Sequence, residues 1–268
     1  MIRMPAVANQ FYPGDPAALR SNLESLIPTS VRVKKKALAV ISPHAGYIYS
    51  GAVAGETFAG VEIPEDILLM GPNHHGYGAL LALMTHGEWE MPLGRVPINS
   101  ELAAILLENS AFINEDDLAH RHEHSLEVQV PFLQYFQKNL RLTPLVISHI
   151  PYETCQSVGR EIAAAIKAYD KPVLIVASSD MTHYESRDSA TNKDRLAIER
   201  IMELDPEGLY KTVLGKKISM CGIMPATIAL IAALELDAQK GELVRYSDSG
   251  EASGDTNQVV GYAGLVIS

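Results

Sequence analysis

The sequence predicts an α/β domain built on a largely parallel, buried sheet, and two observations carry that prediction. Short continuous apolar runs recur along the chain, among them KALAVIS (36–42), DILLMG (66–71), RLTPLVIS (141–148) and PVLIVASSD (172–180). Strands covered on both faces need such runs, because neither face meets water. Stretches of helical periodicity separate them, and strands alternating with helices give a parallel sheet with helices packed on it. Neither an internal repeat nor a long Pro/Gly/Ser linker divides the chain, so residues 1–268 read as one domain. A domain of that length buries roughly 75% of its unfolded surface and needs no disulfide to hold a core.

The first such run, KALAVIS, ends in PHAGYIYSG and leads into the small-residue helix GAVAGETFAG. DILLMG ends in PNHHGYG, and LLALMTHGEWEMPL (80–93) reads as two extended pieces of a hairpin turning at His86-Gly87. Asn99 and Ser100 are cap residues that start a helix over 99–109. Within HEHSLEVQVPFLQYFQ (122–137), Leu126, Val130 and Leu133 fall on one helical stripe, which Pro131 would kink. After the RLTPLVIS strand comes a helix over 153–169, whose buried stripe holds Cys155, Val158, Ile162 and Ile166. PVLIVASSD is the next strand, followed by helices over 185–203 and 206–214. Pro225 stands at the first helical position of PATIALIAALEL (225–236), and LVRYS and VVGYAGLVI close the chain as strands.

Composition excludes some partners. A net charge of −10 argues against nucleic acid and anionic membranes, whose phosphates it would repel. No run approaches the ~18 apolar residues of a membrane span. Two cysteines, and a first stretch without an apolar signal core, give the expectation of a reducing, cytoplasmic location.

Ligands in open parallel sheets bind beyond the carboxyl ends of the strands. Three of the predicted strands run into histidine-bearing loops there: His44, then His74 and His75, then Asp180 and His183. Any one of them alone is an ordinary polar loop residue, but together they favour a shared site. Imidazole is the commonest protein ligand for Zn, Cu and Fe, so a divalent metal is expected. Cys221, in KISMCGIMPATIAL, lies just ahead of the helix opened by Pro225, whose dipole would favour the thiolate. Gly222 beside it permits close backbone approach. Asp180, three residues from His183, would fix that ring's tautomer for acid–base work. His124 and Glu127 are also three apart and would share a helix face at the pocket, while His120 and His122 read as solvated.

These residues resemble the Memo family, whose prokaryotic members are called AmmeMemoRadiSam system protein B. The blocks RMPAVANQFYPGDP, ISPHAGYIYSG, LMGPNHHGYG, HEHSLEVQVPFL, VASSDMTHY and SMCGIMPA carry the likeness nearly end to end. Asn9 departs from it, standing where relatives usually have glycine in a turn. The family is similar in fold to the class III extradiol dioxygenases, which implies a three-layer αβα architecture. It also implies roles: His44 and His74 as imidazole ligands, Cys221 in the place of the dioxygenases' glutamate, His183 as acid–base. His75 is then left to line the pocket or support the ligands. Three readings stay open: a redox enzyme using Fe(II) or Cu on a small-molecule or peptide ligand; a non-catalytic metal- or partner-binding protein working with radical SAM and AMMECR1-like proteins; and a Zn-dependent hydrolase.

Overall fold

The computed structural model describes residues 1–29 and 33–268. In chain order its first half holds β1 (Ile2–Arg3), α1 (Pro16–Leu26), β2 (Ala39–Ser42), α2 (Tyr47–Ala59), β3 (Asp66–Pro72), β4 (Leu81–Leu83), β5 (Glu88–Trp89), β6 (Val96–Pro97), α3 (Ser100–Asn109), β7 (Asn114–Glu115) and α4 (Val130–Phe136). The second half holds β8 (Arg141–Ile147), α5 (Tyr152–Tyr169), β9 (Val173–Ser178), β10 (His183–Glu185), α6 (Arg187–Met202), α7 (Pro206–Gly215), α8 (Ile223–Glu235), β11 (Gly241–Asp248), α9 (Gly250–Ser253) and β12 (Val259–Ile267).

The apolar runs become one nine-stranded sheet of order β10-β12-β2-β9-β3-β8-β4-β7, with β11 paired to β12. Its centre, β2, β9, β3 and β8, is parallel, while β12 and β4 flank that centre antiparallel. Successive side chains along each strand point to opposite faces, and both faces are covered. Ala39, Ile41, Leu68, Met70, Ile175 and Ala177 pack into the core formed with α3, α5, α6, α7 and α8. Val40, Ile67, Leu69, Leu174 and Val176 pack into a second core with α1, α2 and α4. The three-layer expectation therefore holds. Cys155, Val158, Ile162 and Ile166 lie in the first core, as their spacing predicts.

Three local expectations need correction. LLALMTHGEWEMPL makes no hairpin: β4 joins the large sheet, whereas β5 pairs with β1 and β6 in a separate three-stranded sheet. The chain terminus takes the place of the missing hairpin partner, with Glu88 N–H donating to Met1 O at 3.0 Å. Pro131 begins a helix instead of kinking one. A 3-10 turn over Glu127–Gln129 precedes α4, and Pro131 lies in the first turn of that helix, where its missing N–H has no intrahelical partner to lose. Helix α8 starts two residues before Pro225, with Gly222 as its cap. Asn9 takes φ +66°, a left-handed turn conformation that glycine adopts without penalty.

His120, expected to be solvated, is 1% exposed. Its Nε2–H donates to the Ala82 carbonyl at 2.9 Å, tying the segment before α4 to β4. Burial pushes its pKa down to about 4, although the carbonyl bond works the other way. An unfolded histidine titrates near ~6.5, so between those values the unfolded chain binds a proton that the folded one refuses. This contribution is fully present above pH 6.5 and is lost as pH falls through 4, on the order of 3 kcal/mol over the window. Denaturant titrations at pH 7.5 and 4.5 are expected to show a larger acid loss in the native chain than in His120→Asn. Equal losses would mean that His120 does not govern acid stability. Among the described residues no helix is long and apolar enough to cross a membrane.

Candidate metal centre

Strands β2, β9 and β3 are neighbours, and their carboxyl ends finish nearly level, with Ser42 paired to Ser178. The loops leaving those ends therefore meet. His44, two residues beyond β2, is 2% exposed, and its backbone N–H donates to Asp180 Oδ1 at 2.7 Å. Its Nδ1 lies 2.8 Å from Ser178 Oγ. That hydroxyl donates to the Ser125 carbonyl at 2.6 Å and accepts from Gln129 Nε2 at 2.8 Å. With the hydroxyl proton committed, Nδ1 must carry the ring proton, which leaves Nε2 as a bare lone pair. Burial, then the neighbouring His74 and His124, keep this ring well below the usual imidazole range.

His74, two residues beyond β3, is fixed in the same way. Glu123 Oε2 accepts its backbone N–H at 2.7 Å, and Oε1 accepts Nδ1–H at 2.8 Å. Burial alone would push the Glu123 carboxyl up, but its bond to His74 and the backbone N–H groups of Ser125 and His74 hold it well below the carboxylate range. Nε2 of His74 is thus also left free. The His124 ring stacks on His74 at 4.6 Å and 20°, stands edge-on to His44 at 5.5 Å, and is covered by Phe11 at 4.9 Å. Burial drives its pKa down to about 4.

Cys221 completes the group. Its Sγ lies 3.2 Å from His44 Nε2 and accepts the Asp180 N–H at 3.2 Å. One donor atom from each of His44, His74 and Cys221 lies within 4.8 Å of the other two. Gly222 makes this approach feasible: its N–H donates to Ser179 Oγ at 3.0 Å, and any Cβ there would strike the Ser178 carbonyl and the Ser179 side chain. Burial, then the adjacent Asp180 carboxylate, push the Cys221 thiol well above its ordinary range, which runs against the thiolate expected at the start of α8.

The remaining expected residues divide. Asp180 does not orient His183; its carboxylate holds the His44 backbone, and burial raises it to about 6. His183 is anchored by Ser219, which accepts its Nδ1–H at the carbonyl (3.0 Å) and its backbone N–H at Oγ (2.8 Å). Nε2 of His183 is consequently the basic nitrogen. His75 turns outward, with Nε2 at 2.9 Å from the His122 carbonyl and its ring stacked on Tyr77. Glu127 shares no face with His124, because regular helix has not begun at His124. It is wholly buried and binds Arg3, Tyr12 and the backbone of Ala6 and Val7. Glu123, Ser178 and Gln129, which set the tautomers of His44 and His74, escaped sequence reasoning. The one available signal was a carboxylate inside HEHSLE, and helical spacing selected the wrong one of the two.

A family profile described as Memo-like protein matches residues 3–266. The chain belongs to the Memo family. A MEMO1 family protein of Methanopyrus kandleri is 41% identical, over 100% of this chain and 99% of that protein. A MEMO1 family protein of Aquifex aeolicus is likewise 41% identical, over 99% of each. Among solved structures, an uncharacterized protein of Escherichia coli K12 is similar at TM-score 0.52 and 15% identity, covering 84% of this chain and 98% of that one. That likeness is one of fold alone, so what this Memo-family chain does has to be argued from its own side chains.

Proposed function

We propose that this Memo-family protein binds one first-row transition metal through His44, His74 and Cys221 and serves as a redox protein acting on a small ligand. The observation that carries the reading is that both rings have their Nδ1–H committed, to Ser178 and Glu123, leaving Nε2 available beside one sulfur. Metal-binding histidines are oriented in this way by partners behind them. Two imidazoles and a thiolate suit Cu or Zn as well as Fe(II), and when bound such an ion supplies Lewis-acid or redox chemistry. Three protein ligands leave room for a substrate, which is what distinguishes a reactive centre from a closed structural one.

The chain's own groups then have definite tasks. His183, with Nδ1–H held by Ser219, presents Nε2 as the base that takes or returns a ligand proton. Asp180 keeps the His44 loop in place. Phe11 and His124 cover one side of the ligand rings and limit water there. The thiol must release its proton to a bound ion, as any cysteine ligand does.

The test is a metal measurement. Purified protein loaded with Cu(II), Fe(II) or Zn(II) is expected to retain one ion per chain, and the Cu(II) form to show a thiolate-to-metal charge-transfer band that Cys221→Ser lacks. Retention of a full equivalent by His44→Ala, His74→Ala and Cys221→Ser alike would refute the ligand set. Oxygen uptake by the Fe(II)- and Cu-loaded protein with small reductants then addresses turnover.

A further inference from the structure

One aromatic residue beside His183 is held against its own preferences. Tyr184 has φ +58°, in the left-handed region that bulky L-residues rarely enter. Its side chain is 74% exposed, so burial of the ring does not explain the conformation. The flanking residues do. His183 is fixed to Ser219 at two points, and Glu185 is gripped by Ser189 Oγ and Lys193 Nζ. In the ladder with β12, His183 faces Val260 and Glu185 faces Val259, with a register shift between them. Tyr184 is therefore the extra residue of a bulge, a device that re-aims a side chain and recurs beside active sites. Its ring stands edge-on to that of His183, 5.9 Å away at 65°.

We propose that Tyr184 is a substrate-contacting residue, its bulged ring offered beside His183 as a stacking face for a planar, uncharged ring of a small ligand. This deepens the reading of the centre as a reactive metal site and rests on it. The planar part follows from the chemistry of the face: an exposed phenol next to an imidazole offers π surface and attracts rings in offset or edge-on contact. The uncharged part follows from the neighbouring cations. Arg187 is bound to both oxygens of Asp248, and Lys193 to Glu185, so the two basic residues nearest Tyr184 in sequence are already committed to carboxylates. Strain held at an exposed position by anchored neighbours is the pattern expected where a side chain is positioned for a ligand.

The test uses the full-length chain, both metal-free and Zn(II)-loaded, with three probes of matched size: p-cresol, 4-methylcyclohexanol and 4-methylbenzoate. Affinities are read by ligand-observed NMR titration. The native protein is expected to prefer p-cresol over both others. Tyr184→Phe keeps that preference, whereas Tyr184→Ala weakens p-cresol roughly fivefold, the scale of one aromatic contact, and brings it level with 4-methylcyclohexanol. Tyr184→Gly, which accepts the left-handed backbone without penalty, is expected to fold with an unchanged or higher Tm and to lose the same preference. An unaltered preference for p-cresol in the Ala and Gly variants would overturn the proposal, as would its absence in the native protein. A chain that takes up no zinc yet shows the Tyr184-dependent preference would remove the metal reading and leave the role of Tyr184 standing.

Discussion

A Glu123→Gln variant is expected to bind Zn(II) roughly 10- to 100-fold more weakly than the native chain, though Glu123 itself touches no metal in the proposed centre. The reason lies in the count of donors around the carboxylate. Glu123 accepts three N–H groups, from the His74 backbone, the His74 ring and the Ser125 backbone, with both of its oxygens in use. A glutamine can offer only one oxygen. Placing its NH2 toward the His74 ring forces that ring to take its proton at Nε2, the nitrogen needed for the ion. Placing the NH2 the other way sets it against the His74 backbone N–H and displaces the loop. Either outcome weakens the site without removing a ligand. Competition with a chromophoric chelator measures it, with His74→Ala as the variant expected to abolish one-to-one binding. Native affinity in Glu123→Gln beside lost affinity in His74→Ala would separate the carboxylate from the metal site.

The ease with which this centre is read from sequence tracks how local each signal is. His44 and His74 stand directly after apolar runs that can only be central strands, so their position at the sheet's carboxyl edge follows from two short stretches of chain. Gly222 is legible for the same reason, since a small residue beside a candidate ligand announces close approach. The arrangement behind the two histidines is not local. Ser178 reaches His44 across 134 residues and Gln129 reaches Ser178 across 49, and no periodicity encodes such pairings. The segment before α4 misleads for a different reason. Helical spacing puts His124 and Glu127 on one face, but the chain is still irregular at His124, so that common face does not exist. The same segment hides His120, whose burial depends on β4 and on the N-terminal strand β1 packing over it, neither visible from the polar string in which it occurs. The tetrad of central strands was legible because burial on both faces leaves an unmistakable apolar run. The antiparallel margins were not, because strand direction is decided by connections that sequence patterns do not specify.

Replacing Glu127 with alanine is expected to produce the largest loss of stability, about 3–5 kcal/mol, the scale of stranding one member of a buried ion pair. Its carboxylate is completely enclosed and accepts from Arg3 Nη1 (2.7 Å), Ala6 N (2.7 Å), Val7 N (3.0 Å) and the Tyr12 hydroxyl (2.6 Å). Alanine would leave those donors without a partner and the Arg3 guanidinium charged in a site where it is only 5% exposed. For a chain of this length that energy lowers Tm by roughly 10 °C. The loss should also reach the proposed metal centre, because Arg3 donates to the carbonyls of His120 and Glu123 at 2.7 Å each and lies over the Trp89 ring. An unpaired Arg3 is drawn toward water, and the loop carrying Glu123 moves with it. A Glu127→Ala protein assayed well below its own Tm is therefore expected to bind Zn(II) more weakly than native, by less than the Glu123→Gln variant. The Arg3→Met, Glu127→Ala double variant should recover part of the stability, since removing both charges together avoids the stranded guanidinium. A Tm within 2 °C of native for Glu127→Ala, measured by calorimetry, would mean that the N-terminal segment is held by its apolar contacts alone; 2 °C corresponds to only about 1 kcal/mol at this chain length.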